Sequence, residues 1–225
     1  MRVLLIEDDS AARFGIELVL RADAMCVDST DRGDDGIDTA RHYDYDVIVL
    51  DLRLPDMSGF EVVRGLRSAR IQTPVVILSG SAMLEDKIKA LKAGADDYLT
   101  KPFSAEELTA RLRTLVRRSR GLCDARVCFG PMTLDLAAKT LEAGGRPINL
   151  SAKEYQILEL LSLRRGTAVS KDVLIDHIYG DGEGPDSGIM EVFVHRLRRK
   201  LALACEGGDF IETVRDRGYL MRAAA

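Results

Sequence analysis

Four apolar, strand-like runs in the first half of the chain each end at a polar feature. The residues at these ends are Glu7 with Asp8, Asp51, Ser79 and Lys101. The carboxyl ends of parallel strands meet at one edge of a sheet, which is where open α/β folds bind ligands. Three carboxylates, one hydroxyl and one lysine would then share a small space. This set suits the binding of a divalent cation and a phosphoryl group on an aspartate.

The residue types agree with that chemistry. A carboxylate is a poor nucleophile towards phosphate because both groups are negative, and a divalent cation removes the repulsion. Asp8 and Asp51 could supply the one or two carboxylates that Mg²⁺ needs, with Glu7 acting through water. Lys101 suits the phosphoryl oxygens and Ser79 can donate a hydrogen bond to them. Any one of these carboxylates alone would be better interpreted as a solvated loop residue.

The elements that must position these residues alternate along the first ~118 residues. Strands are predicted near 3–6, 25–29, 46–51, 75–79 and 97–101, and helices near 11–21, 33–41, 58–69, 84–93 and 104–118. This alternation is typical of parallel βαβ units, so the predicted class is α/β. The runs 46–50 and 75–78 are apolar throughout, as expected of strands covered on both faces.

The second half of the chain has a different pattern. We place a first domain at 1–118, a linker at 119–127 around the arginines near Arg118, and a second domain at 128–223. Short strands with glycine turns run to about residue 150, and capping residues at Ser151 and Ser170 begin two helices. A third helix over about 187–203 and a terminal hairpin near Asp216 complete the layout of a winged helix.

The third helix of this second domain has an apolar back and a cationic front. At about 100° per residue, the apolar residues from Met190 to Leu201 fall on one face. Such a helix suits the DNA major groove, with the hairpin reaching the backbone or minor groove beside it. An ordinary solvated helix face is the alternative for the charge run. The candidate DNA contacts are Glu191, Val192, His195, Arg196, Arg198, Arg199, Arg215 and Arg217.

Composition narrows the class of protein further. The 225 residues carry a formal charge of −4, which argues against a wholly basic nucleic-acid binder, and the apolar runs are too short to cross a membrane. The start lacks the pattern of a signal peptide. The four cysteines form no C-x-x-C pair, so free thiols in a cytoplasmic protein are expected.

The motifs of the first domain resemble the receiver domain of two-component response regulators. The segments IEDD, VIVLDLRLPDMSG, VVILSG and GADDYLTKPF carry this resemblance. It implies a flavodoxin-like sheet of order 2-1-3-4-5 and transfer of a phosphoryl group to Asp51 from a histidine kinase or a histidine phosphotransfer protein. It implies Mg²⁺ ligation by Glu7, Asp8, Asp51 and the backbone carbonyl of Arg53. It also implies a switch formed by Ser79, Tyr98 and Lys101. A degenerate receiver that is not phosphorylated is the alternative.

The motifs of the second domain resemble the OmpR/PhoB winged-helix output domain. LSAKEYQILELL, VHRLRRKL and TVRDRGYL carry this resemblance, and RVLLIEDDS, YDYD, LPDMSG and EYQILELLSLRRGT resemble cell-cycle master regulators of alphaproteobacteria. The implied partners are promoter DNA and RNA polymerase, the latter through loop 180–186. In the hairpin, Asp216 stands where the family often has glycine, and Arg215 departs from the aromatic residue of the cell-cycle group.

The resemblance also implies a homodimer on activation, through the face made by helix 84–93, strand 97–101 and helix 104–118. The family pairs this face by salt bridges between subunits. A further family pair is missing, because Lys92 and Arg113 are both cationic, so a weaker dimer is expected. The matching positions are Lys87 with Glu107, Asp97 with Arg111, and Asp96 with Arg118.

Two other functions compete with a phosphorylation-controlled transcription regulator. One is a phosphotransfer or interaction module that titrates a kinase without specific DNA binding, and the cationic third helix counts against it. The other is an aspartyl-phosphate phosphatase of the haloacid dehalogenase type, which needs a D-x-D motif that Asp51-Leu52-Arg53 lacks. We therefore expect no enzymatic activity beyond catalysis of its own phosphorylation and slow dephosphorylation.

Overall fold

The structure is a computed structural model that describes residues 1–121, 124–179, 188–205 and 209–222. It divides into two compact units, Met1–Ser119 and Arg120–Ala225. No helix in these ranges is long and apolar enough to cross a membrane. Cys26, Cys128 and Cys205 form no disulfide bond, and Cys123 lies outside the described residues.

The first unit is a five-stranded parallel sheet of order β2-β1-β3-β4-β5, which confirms the predicted topology. Its central strands are buried along their whole length, as their continuous apolar runs predict. The register pairs Asp51 with Leu78 and Ser79 with Thr100, so the polar strand ends lie at one edge. The strands are β1 (Arg2–Ile6), β2 (Cys26–Thr30), β3 (Val47–Asp51), β4 (Val75–Ser79) and β5 (Asp97–Thr100).

Four helices connect these strands and a fifth follows β5, and the helix ends have local chemical causes. Asp9 caps the first helix by accepting hydrogen bonds from two backbone N–H groups. Ser58 and Glu61 form a capping box at the third, and Gly94 ends the fourth in the left-handed conformation. The helices are α1 (Ser10–Ala22), α2 (Gly33–His42), α3 (Gly59–Ser68), α4 (Leu84–Ala93) and α5 (Ala105–Ser119).

In its described residues, the second unit has a four-stranded antiparallel sheet, three helices and a terminal hairpin. Its strands are β6 (Arg126–Phe129), β7 (Met132–Asp135), β8 (Thr140–Ala143), β9 (Arg146–Pro147), β10 (Ile211–Val214) and β11 (Gly218–Met221). Its helices are α6 (Ala152–Leu163), α7 (Lys171–Tyr179) and α8 (Gly188–Ala204). One boundary differs from the sequence prediction: β6 begins inside the predicted linker, because Val127 pairs with Leu134 and is buried.

The start of α6 forms an ion pair with α8. Ser151 and Glu154 form the predicted capping box, and the Nζ of Lys200 on α8 donates to the Glu154 carboxylate at 2.7 Å. Burial alone would raise the pKa of Glu154, but the hydrogen bonds from Lys200 and Ser151 outweigh burial and lower it. The ionised form of Glu154 therefore stabilises the contact between α6 and α8.

Candidate functional site

Three carboxylates meet at the carboxyl edge of the parallel sheet. Oxygen atoms of Glu7, Asp8 and Asp51 all lie within 4.8 Å of one another. Glu7 is 2% exposed and Asp51 is 7% exposed, whereas Asp8 is open to solvent. The sequence predicted this grouping from the ends of β1 and β3, and the sheet register brings it about.

Lys101 enters the same cluster from the end of β5. Its Nζ donates to Glu7 at 2.6 Å and to Asp51 at 2.7 Å. Burial raises the pKa of Glu7 more than Lys101 lowers it, so this carboxyl has a raised pKa. Burial opposes the charged form of Lys101, but its two carboxylate partners outweigh burial and raise its pKa. A single cation thus neutralises part of a closely spaced acidic group.

The backbone fixes the second oxygen of Asp51. The N–H of Arg53 donates to Asp51 Oδ2 at 2.6 Å, while the Arg53 side chain is exposed. Behind the strand, the start of α3 approaches closely, and a Cβ on Gly59 would lie 2.5 Å from the carbonyl oxygen of Asp51. The carboxylate is therefore held in one orientation by a tightly packed turn.

Ser79 lies on β4, next to the strand of Asp51, and Tyr98 lies on β5, one strand further along the sheet. Ser79 is buried, its hydroxyl accepts from the N–H of Ser81 at 3.1 Å, and its carbonyl accepts from the N–H of Lys101. The Tyr98 hydroxyl donates to the carbonyl of Ser81 at 2.8 Å. The backbone of Ser81, in the loop after β4, thus bonds to both side chains that the sequence analysis assigns to a switch.

The donor set fits a magnesium ion. Carboxylate oxygens are the hard ligands that this ion prefers, and three of them converge at one exposed edge of the cluster. Lys101 offsets only part of their charge. A divalent cation would be attracted by the excess negative charge, with the backbone carbonyl of Arg53 as the further ligand that the sequence predicts.

The residues predicted for a dimer face already have partners within the chain. Arg111 pairs with Asp97 at 3.0 Å and with Glu107 at 2.9 Å. Asp96 accepts from Arg67 at 2.8 Å and from the N–H of Val75. Lys87 lies over the ring of Tyr98, 5.9 Å from its centroid, and Arg118 is exposed.

An exposed apolar stripe on α4 was not predicted from the sequence. Leu84, Ile88 and Leu91 follow helical spacing and are all exposed. Arg113 on α5, which was considered with Lys92 as a missing family pair, forms an ion pair with Asp23 at 2.8 Å. The spacing of the three apolar residues was the available signal, but periodicity alone does not tell a buried stripe from an exposed one.

Helix α8 presents the predicted two faces. Met190, Val194, Leu197 and Leu201 are buried in the core of the second unit. On the opposite side lie the exposed residues Glu191, Val192, His195, Arg196 and Arg199. The Glu191 carboxylate accepts from Lys171 Nζ on α7 at 2.7 Å. The exposed face is therefore mainly cationic, with one acid held by a lysine.

Arg198 is placed differently from the other arginines of α8. Its guanidinium donates to the carbonyl of Ile211 at 2.7 and 2.9 Å and to the hydroxyl of Thr213 at 2.8 Å. These bonds fasten α8 to the hairpin of β10 and β11. The sequence analysis grouped Arg198 with the DNA contacts, and the structure shows that its guanidinium also has hydrogen-bond partners within the second unit. Helical periodicity could not reveal the partner because the hairpin is distant in sequence.

The hairpin turn carries the two remaining candidate contacts. Arg215 and Arg217 are both exposed, Arg215 with 97% of its side chain. Asp216 between them adopts φ 57°, the left-handed conformation that aspartate tolerates in turns. The Asp216 carboxylate lies 3.9 Å from Arg215 Nε, so it offsets part of the charge that this turn presents.

Both halves of the chain match known families. Residues 3–113 match the response regulator receiver domain, and residues 145–221 match the C-terminal domain of transcriptional regulatory proteins. The chain therefore belongs to the two-component response regulators of the OmpR/PhoB type. It combines a phosphoacceptor receiver with a winged-helix DNA-binding domain, so its partners include a kinase or phosphotransfer protein and DNA.

The similarity to particular relatives extends over nearly the whole chain. The cell cycle response regulators CtrA of Brucella ovis and Brucella abortus are each 50% identical over 222 residues, covering 99% of this chain and 96% of the relative. Among solved structures, the receiver domain of the Francisella response regulator 1452 is 36% identical with a TM-score of 0.51. The match covers 52% of this chain and 98% of that one.

Proposed function

We propose that this protein regulates the transcription of cell-cycle genes when Asp51 is phosphorylated. The observation that carries the proposal is the cluster of Asp51, Glu7, Asp8 and Lys101 in one unit, in a chain whose second unit presents a cationic helix. The similarity to CtrA supports the cell-cycle part.

The chemistry at Asp51 is phosphoryl transfer from a phosphohistidine. A carboxylate oxygen of Asp51 forms the new bond to phosphorus while the phosphorus–nitrogen bond breaks, and the leaving imidazole takes up a proton. Glu7, Asp8, Asp51 and the carbonyl of Arg53 would hold Mg²⁺, which would supply positive charge that reduces the repulsion between the reacting groups. The Arg53 N–H, 2.6 Å from Oδ2, keeps the carboxylate oriented.

Lys101, Ser79 and Tyr98 carry the change away from the site. The Lys101 ammonium now bonds two carboxylates and can turn to a phosphoryl oxygen. The Ser79 hydroxyl donates a hydrogen bond to the same phosphoryl group. Tyr98 then gives up its hydrogen bond to Ser81 and moves into the space that the Ser79 side chain has left. Phosphorylation in this way shifts the population between two arrangements.

The arrangement favoured by phosphate forms a homodimer through α4, β5 and α5. The exposed stripe Leu84, Ile88 and Leu91 supplies apolar surface, and its burial drives association. The charged residues around it fix the orientation of the two copies. Their proposed pairs are Lys87 with Glu107, Asp97 with Arg111, and Asp96 with Arg118.

DNA binding falls to α8 and the hairpin. The exposed residues of α8 enter the major groove, where Val192 can meet a thymine methyl group and Glu191 can accept from cytosine. Arg215 and Arg217 contact phosphates, and counterion release makes affinity fall with salt. The loop 180–186, which we propose as the RNA polymerase contact, lies outside the described residues.

DNA affinity measured by fluorescence anisotropy tests this proposal. Full-length protein is titrated with tandem half-site and scrambled DNA over a salt series, with and without beryllofluoride and Mg²⁺. Binding that depends on sequence and is enhanced by the phosphate mimic is expected, and Asp51→Ala should lose only the enhancement. Specific binding indifferent to the mimic would overturn the switch. No specific binding would favour a phosphotransfer module.

A further inference from the structure

A groove between α3 and α4 is lined by cations above an apolar floor. Phe60 and Arg64 line it from α3, and Lys89, Lys92 and Ala93 line it from α4. Its volume is about 280 Å³. Phe60 and Ala93 are partly buried and pack against the core of the first unit, so the floor is rigid while the three cationic side chains stand around it.

The cations of this groove form no ion pair inside the described part of the chain, although Arg64 donates to the carbonyl of Phe60 at 3.3 Å and has Glu61 as an acidic neighbour on α3. Arg64, Lys89 and Lys92 are exposed, and none of them forms an ion pair there. Other arginines of the same unit behave differently, since Arg67 and Arg111 each bind carboxylates. Residues 1–120 hold 18 Lys/Arg and 21 Asp/Glu, a net charge of −3. Three unpaired cations in one groove are therefore a local reversal of the charge of this unit.

The groove adjoins the proposed dimer face. At about 100° per residue, Lys89 lies about 130° and Lys92 about 75° around α4 from the centre of the stripe of Leu84, Ile88 and Leu91. A dimer that buries the stripe therefore borders the groove on the side of Lys92. Lys92 also lacks the anionic partner position that the family provides on α5, because Arg113 is a cation and binds Asp23.

We propose that this groove binds an acidic segment of a partner protein, with one apolar side chain seated on Phe60 and Ala93. Charge complementarity selects the acidic character, because at least two carboxylates can pair with Arg64, Lys89 and Lys92. The cations stand on flexible stems along two helices, which suits several carboxylates spread along a segment. The negative charge of the unit disfavours nucleic acid. This surface lies outside the phosphoryl site and the DNA-contact face.

Selection from peptide pools tests the proposal on the full-length protein. One pool holds 12-residue peptides with at least four Asp or Glu and one Leu or Phe, and the matched pool has Asn and Gln in place of the acids. Wild type should enrich the acidic pool. The double variant Lys89→Glu with Lys92→Glu should bind the selected peptide at least about tenfold more weakly.

A control of equal charge separates this groove from general electrostatics. Arg41→Glu with Arg70→Glu makes the same change in net charge at exposed positions of the first unit that do not line the groove. This control should retain the wild-type affinity at 0.15 M salt, where exposed charges beyond ~8 Å are screened. The proposal is overturned if both double variants lose binding equally, or if the acidic pool is not enriched. Displacement of the peptide by ATP at equal concentration would instead assign the groove to small phosphate ligands.

Discussion

Replacing Gly59 by alanine tests how tightly α3 packs against the strand that carries Asp51. An added Cβ would lie 2.5 Å from the carbonyl oxygen of Asp51 and 2.9 Å from the Cα of Leu52. Both neighbours are backbone atoms, so no side-chain rotation can relieve the contact. Overpacking of this kind costs about 1–3 kcal/mol. Alanine in a helix returns at most about 0.5–1 kcal/mol, so we expect a net loss of about 1–2 kcal/mol.

Scanning calorimetry of the full-length protein measures this loss. The transition of the first unit should fall by about 3–8 °C, whereas that of the second unit should not move. Gly15→Ala is the matched control, because nothing lies within 4 Å of its added Cβ on α1, and it should be neutral or stabilising. Beryllofluoride binding should weaken in Gly59→Ala because the turn after Asp51 must shift. If Gly59→Ala is as stable as Gly15→Ala, the close packing derived from the structure is wrong.

Four further predictions concern charged side chains. Lys101→Met removes an ammonium group that repels a second cation, so Mg²⁺ should bind about threefold or more tightly in a calorimetric titration. Weaker Mg²⁺ binding by this variant would contradict the repulsion between the Lys101 ammonium and the ion. Arg198→Ala should destabilise the second unit by about 1–2 kcal/mol in thermal unfolding, because its bonds to β10 are lost. Arg199→Ala should change stability by less than about 0.5 kcal/mol yet reduce the salt slope of DNA binding by about 1; equal stability of the two variants would refute their separation. Because the pKa of Glu154 is lowered on folding from 4.5, its stabilisation is present above that pH and is lost as pH falls through the folded pKa. Unfolding temperatures measured from pH 7 to pH 3 should therefore fall more steeply for wild type than for Glu154→Gln, and parallel curves would argue against this ion pair.

The sheet and its site could be predicted because they depend on local patterns. Apolar runs that end at Glu7, Asp51 and Lys101 determine both the strands and the edge where those residues meet. Parallel strands bring their carboxyl ends together whatever the connecting helices contain. The position of Asp51 in the site could therefore be predicted from two features of the sequence, the apolar pattern of the strands and the residues at which the strands end.

The parts that sequence reasoning missed depend on the reach of long side chains. Arg198 and Arg199 are neighbours in a cationic run, yet one binds the hairpin and the other faces solvent. Arg67 likewise reaches Asp96 across 29 residues of sequence. Helical periodicity gives the direction in which a side chain leaves the helix axis. The hydrogen-bond partner depends on which groups of the folded chain lie within reach of the far end of that side chain.

The two internal partners of Arg111 have a consequence for how the dimer would respond to its surroundings. Each carboxylate that this guanidinium could meet on a second copy replaces one that it already holds on its own chain. For Arg111, association is then an exchange of equivalent bonds, with no net gain in their number. Added salt weakens both sides of this exchange alike, so Arg111 should add little to the salt dependence of dimerisation, while burial of the apolar stripe should give association a negative heat-capacity change.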